Sequence, residues 1–63
     1  MEVYKASNIN GRFDHLLGKT AVLAYIRKVD GEQVRSISEA CKDYGWTVER
    51  VSRADARAVG FSV

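Results

Sequence analysis

Residues 20–29, TAVLAYIRKV, hold seven apolar positions in ten and lie between Gly18 on one side and Asp30-Gly31 on the other. A run enriched in β-branched and aromatic residues between turn formers reads as a strand. Alternate side chains of a strand share a face. That sets Ala21, Leu23, Tyr25 and Arg27 on one side and Val22, Ala24, Ile26 and Lys28 on the other. Both sides are then apolar over most of their length, and a single helix covers only one of them. The other needs the segment Phe13–Leu17, a second copy of the chain or a different protein. Leu23, Tyr25 and Arg27 are therefore the candidate partner-binding residues.

Downstream of this run the pattern changes period. Val34, Ile37, Cys41 and Tyr44 follow at spacings of three, four and three, one apolar stripe along a helix from about residue 31 to 44. Asp30 is suited to the N-cap, with Gln33 three residues on, and Gly45 to the left-handed position that ends a helix. Trp46 can fold back on the last turn near Cys41, and Cys41 itself is expected in the core.

Upstream, MEVYKA at residues 1–6 alternates as a short strand, stopped by Ser7, Asn8, Asn10 and Gly11. Phe13, Leu16 and Leu17 fall at i, i+3 and i+4, so RFDHLLGK at 12–19 reads as two helical turns or a loop. The tail admits two forms. Thr47–Ser52 pairs with Ala56–Val63 as a hairpin around Arg53-Ala54-Asp55, or Ser52 and Asp55 cap a short helix that Gly60 ends. A seven-residue helix is marginal by itself, which favours the hairpin. The expectation is a single α+β domain over residues 1–63. Its one sheet has three to four strands packed on one main helix, in the order β-(α/loop)-β-α-β-β.

Size and composition limit the chemistry. At 63 residues folding removes only about 60% of the unfolded chain's surface from water, so the core is small and a partner is a natural source of extra stability. Cys41 is the one cysteine and His15 the one histidine, which leaves neither a disulfide nor a metal-ligand spacing. Gly18-Lys19-Thr20 has the ending of a phosphate-binding loop. Six residues rather than four separate it from Gly11, however, and the run after it reads as a strand rather than a helix. No secretory leader or run of ~18 apolar residues is present, and with a free thiol the expected location is cytoplasmic.

Candidate catalytic groups each have a structural role to hand. Cys41 with His15 would need a cleft and an oxyanion site that so short a chain scarcely provides. Asp30 and Glu32 suit a helix start, and Glu39 with Asp43 is a like-charge pair four residues apart on a solvent face. The ten basic and eight acidic residues are interspersed, unlike the stripe of a dedicated nucleic-acid binder. The function expected is a non-enzymatic protein-interaction module, a regulator or inhibitor acting through a sheet face or edge, as a homodimer. No cofactor, metal, membrane or small-molecule substrate is expected. The alternative is nucleic-acid binding by Tyr25, Arg27, Lys28, Arg50, Arg53 and Arg57, which would place cations beside aromatic rings on strands.

Overall fold

A computed structural model describes residues 2–62. Six elements follow in the order β1 (Val3–Asn8), β2 (Phe13–Leu17), α1 (Lys19–Asp30), α2 (Ile37–Asp43), β3 (Trp46–Arg50) and α3 (Arg53–Ala58). The fold is a small α+β arrangement with a three-stranded antiparallel sheet in the order β2-β1-β3. The order along the chain, ββααβα, differs from the expected β-(α/loop)-β-α-β-β.

The difference begins at residues 20–29, which are helix and not strand. Val22, Tyr25, Ile26 and Val29 stand at i, i+3, i+4 and i+7, the signature of one helical face. Val22 and Ile26 are wholly buried, while Tyr25 and Val29 pack against the same core. Lys19, Thr20, Ala24, Arg27 and Lys28 are exposed, as the other side of an amphipathic helix requires. Arg27 and Lys28 in the last turn suit the negative end of the helix dipole. With the run coiled, there is no two-faced strand to cover.

Phe13–Leu17 is correspondingly a strand, because the turn before it closes a hairpin. Asn8 Oδ1 accepts the N–H groups of Asn10 and Arg12, both at 3.0 Å. Asn8 N–H donates to the Arg12 carbonyl, and Gly11 takes φ +84°. This side-chain-supported turn sets the register Val3↔Leu17 to Ser7↔Phe13. A five-residue helix would gain little by itself, whereas the strand is captured by β1.

β3 pairs on the other side of β1, with Tyr4↔Arg50 and Asn8↔Trp46 at the ends of the register. Tyr4 and Ala6 of β1, Leu16 of β2, and Trp46 and Val48 of β3 turn toward the helices and join one core with Val22, Ile26, Val34 and Ala40. Ala6 and Ala40 have no exposed surface, and with no more than a methyl group at each the layers come close. The opposite sheet face carries Val3, Lys5, Ser7, Phe13, His15, Leu17, Thr47 and Glu49, by alternation from the same register.

Two further expectations are corrected. Residues 31–36 are not helical; α2 starts at Ile37, capped by Ser36, whose Oγ accepts the Glu39 N–H at 3.1 Å. Of the expected stripe only Val34 is fully buried, Ile37 and Tyr44 are half-buried, and Cys41 is exposed while Ala40 takes the core position. The tail is the capped helix rather than the hairpin: Ser52 Oγ accepts the Asp55 N–H at 3.1 Å. Gly60 N–H bonds the Arg57 carbonyl and Phe61 N–H the Ala56 carbonyl, both at 3.0 Å, with Gly60 at φ +103°. This is the Schellman closure, which stabilises even six residues. Val63, the last residue of the expected hairpin, lies outside the described residues, as does Met1 of the expected first strand.

The helical reading of residues 19–30 has a sharp consequence. Ile26→Ala should cost ~2–5 kcal/mol in urea unfolding, as a fully buried side chain does. Ala24→Lys should change stability by less than ~0.5 kcal/mol, as at an exposed helix position. On a strand the two would share a face, so comparable losses from both would overturn the helix.

Candidate interaction surface

Leu23 and Arg27 stand one helical turn apart on α1 and line the same groove. It lies between α1 and the start of α2 and has a volume of about 610 Å³. Leu23, Ile37, Tyr4 and Val48 supply its apolar surface, and Lys19, Arg27 and Arg35 its cations; no carboxylate lines it. Tyr25, two positions from Leu23, is turned away by the helical pitch. Its ring meets Trp46 edge-on at a centroid distance of 5.8 Å and an interplanar angle of 83°. Of the three expected partner-binding residues, Arg27 lines the groove, Leu23 lines it while half-buried against the core, and Tyr25 packs on the core alone.

The cations of the groove are not equivalent. Arg35 donates from Nε and Nη2 to Glu39 Oε2 at 3.1 and 2.8 Å, and its backbone N–H donates to Oε1 at 3.1 Å. These bonds, the side-chain one first, hold the Glu39 carboxyl below its ordinary value and raise Arg35. A carboxylate with a lowered folded-state pKa contributes stability above its ordinary pKa and loses it as pH falls through the lowered one, so the pair is intact at neutral pH. Arg27 makes one long contact, Nη2 to the Glu32 carbonyl at 3.4 Å. Among the described residues Lys19 has a long-range attraction to Glu2. Arg35 is thus engaged, while Lys19 and Arg27 face the groove with charge to offer.

The residues of the nucleic-acid alternative are not assembled on one surface. Arg27 and Lys28 border a small cleft with Glu32 at the end of α1. Arg50 and Arg53 line another, about 550 Å³, with Glu2 and Val3. There Arg50 Nη1 meets Glu2 Oε2 at 2.6 Å, which lowers the carboxyl of Glu2. Arg57 stands in the last turn of α3, and Tyr25 is packed on Trp46 as above. Sequence reasoning missed a different aromatic: Phe13, 57% exposed on the open sheet face, with Lys5 Nζ 5.0 Å above its ring centroid and the His15 ring edge-on at 6.2 Å. Alternation of Phe13, His15 and Leu17 is the signal, and it is visible only once 13–17 is read as a strand.

The β2 edge is partly closed. Asn8 N–H bonds Arg12 and Gly18 N–H bonds the Glu2 carbonyl, so even-numbered positions of β2 spend their main-chain groups on β1. Phe13, His15 and Leu17 turn theirs outward. The central one of these, His15 N–H, is bound at 2.8 Å by Oδ1 of Asp14. A carboxylate at that point obstructs an incoming strand, a common way of protecting an edge.

Cys41 and His15 are not brought together: α2 packs on one side of the sheet, and His15 projects from the other. Among the described residues no group of three His, Cys, Asp or Glu side chains is placed to hold a metal ion. Nor is any helix among them long and apolar enough to cross a membrane. No family model matches the chain, and no curated protein or solved structure proves similar to it.

The exposed position of Cys41 reverses the expected reactivity. The native protein should react with a small disulfide reagent at neutral pH nearly as fast as the urea-unfolded chain, and Cys41→Ser should shift stability by less than ~0.5 kcal/mol. A thiol that labels only on unfolding would return Cys41 to the core.

Proposed function

We propose that the chain is a non-enzymatic protein-interaction module, a small regulator or inhibitor, that takes its partner in the groove between α1 and α2. The observation that carries this reading is the combination in one concavity of apolar side chains with cations and no carboxylate. Clefts of this size with a mostly apolar lining and a few polar groups are where binding concentrates. Apart from Arg35 and Ser36, the groove is built on helices and strands, so most of its side chains are held in place before a partner arrives. A single exposed thiol suits a reducing, cytoplasmic setting.

The argument for a homodimer through residues 21–28 goes with the strand that carried it. Of the two sheet edges, β2 and β3, the β2 edge has its central amide occupied by Asp14. A foreign protein is the better supported partner. A second reading rests on Phe13: an exposed ring with Lys5 above it and His15 beside it is a stacking platform for a base of single-stranded nucleic acid. Glu49 pairs across from Lys5 on that face and offsets its charge, which weighs against a polyanion.

Capture from a lysate of the source organism separates the two, using wild type, Leu23→Asp and Phe13→Ala as baits, with and without nuclease. The groove reading expects partners that survive nuclease, are retained by Phe13→Ala and fall about tenfold with Leu23→Asp, a variant first shown to be folded by circular dichroism. Loss of the captured proteins on nuclease treatment, or on Phe13→Ala alone, overturns it in favour of the sheet face.

A further inference from the structure

Lys19, Leu23 and Arg27 follow one another at intervals of four along the flank of α1 that lines the groove, the two cations exposed and Leu23 half-buried. At a rise of 1.5 Å per residue they form a ridge about 12 Å long, with a cation at each end and leucine between. Resting on the groove reading above, we infer that the occupant is an amphipathic helix of a partner protein. It carries an acid, a large apolar residue and a second acid in a matching stripe.

Each part of the occupant follows from a feature of the groove. The apolar residue answers Leu23, which with Ile37 and Val48 forms the apolar part of the groove, a surface that a free anion would leave uncovered. The acids answer Lys19 and Arg27, since the charge of Arg35 is offset by Glu39. No carboxylate in the lining opposes them. Helical form follows from the walls. Beyond their first turns α1 and α2 satisfy their main-chain groups internally, so an extended peptide lying between them would find no continuous edge to pair with. A helix has no such need, and its side-chain ridge can enter the space beside the i±4 ridge of α1. Of the two edge strands, β2 does not line the groove and β3 reaches it only through Val48.

Charge reversal tests the inference directly. Three fluorescein-labelled peptides of about 16 residues, each locked as a helix by a side-chain staple, are titrated by anisotropy. One has the stripe Glu-Leu-Glu at intervals of four, one Lys-Leu-Lys and one Glu-Ala-Glu; a single-stranded oligonucleotide is the fourth probe. Wild type should bind the first at least tenfold more tightly than the second or third, and the preference over the second, which differs in charge, should narrow at high salt as screening requires. Lys19→Glu/Arg27→Glu should invert the order of the two charged peptides, an outcome that loss of folding cannot mimic. Equal binding of acidic and basic stripes, or tighter binding of the oligonucleotide than of Glu-Leu-Glu, overturns the inference. In that event Leu23-dependent capture of a protein would still uphold the groove, and its absence would remove the groove as well.

Discussion

The contact on which the arrangement of layers depends is made by Trp46. Its indole N–H donates to Asp30 Oδ2 at 2.6 Å, its ring and that of Tyr25 meet nearly perpendicular, and only 3% of its surface is exposed. Asp30 is the last residue of α1, and Trp46 is the first of β3. One side chain thus joins the C-terminal end of the long helix to the strand that closes the sheet. A carboxylate at the C-terminal end of a helix faces the negative pole of the dipole. The indole donor answers that charge in a partly buried setting, where a hydrogen bond to an ionised group is strong. Fixing Tyr25 and Asp30 inward fixes the rotation of α1, and with it the placing of Leu23 and Arg27 on the flank that lines the groove.

The groove then follows from a mismatch in length. α1 has twelve residues and α2 seven, about 18 Å against about 10 Å. A helix of seven residues cannot cover the flank of one of twelve, so part of α1 and the side chains of Tyr4 and Val48 between the helices stay accessible. Ala6 and Ala40 draw the layers together beneath this opening. The same economy that gives so short a chain a closed core leaves one concave flank beside it.

How far the fold is legible in the sequence depends on whether local signals are exclusive. Residues 20–29 contain so many apolar positions that period two and period 3.6 both fit. The deciding features are length, since ten to twelve residues exceed a usual strand, and the polar positions Lys19, Thr20, Arg27 and Lys28, which gather on one side only in a helix. Phe13, Leu16 and Leu17 have helical spacing by coincidence, and pairing with β1 overrides it. Cap signals are more exclusive. Ser36 with Glu39, and Ser52 with Asp55 and Gly60, each mark a real helix end, because a hydroxyl three residues before an acid has few other ways to satisfy backbone donors. Asp30 with Gln33 resembled such a pair, but Asp30 closes a helix and Gln33 Nε2 donates to the carbonyl of Asp30 in the loop that follows.

The candidate site is partly legible for an arithmetical reason. Residues four apart share a face in a strand, where the period is two, and nearly so in a helix, where it is 3.6. Leu23 and Arg27 therefore stay together whichever form residues 20–29 take, and both line the groove. Tyr25, two positions from each, shares their face only in a strand; coiling sends it to Trp46. By the same interval the face extends back to Lys19, which a strand beginning at Thr20 consigned to a turn. Its role became visible only because Gly18, at φ +86°, ends the hairpin and lets the helix begin at the next residue. The second cation of the ridge thus depends on where the first turn of α1 starts, and the complementarity argued for the groove depends on both cations being on one helix.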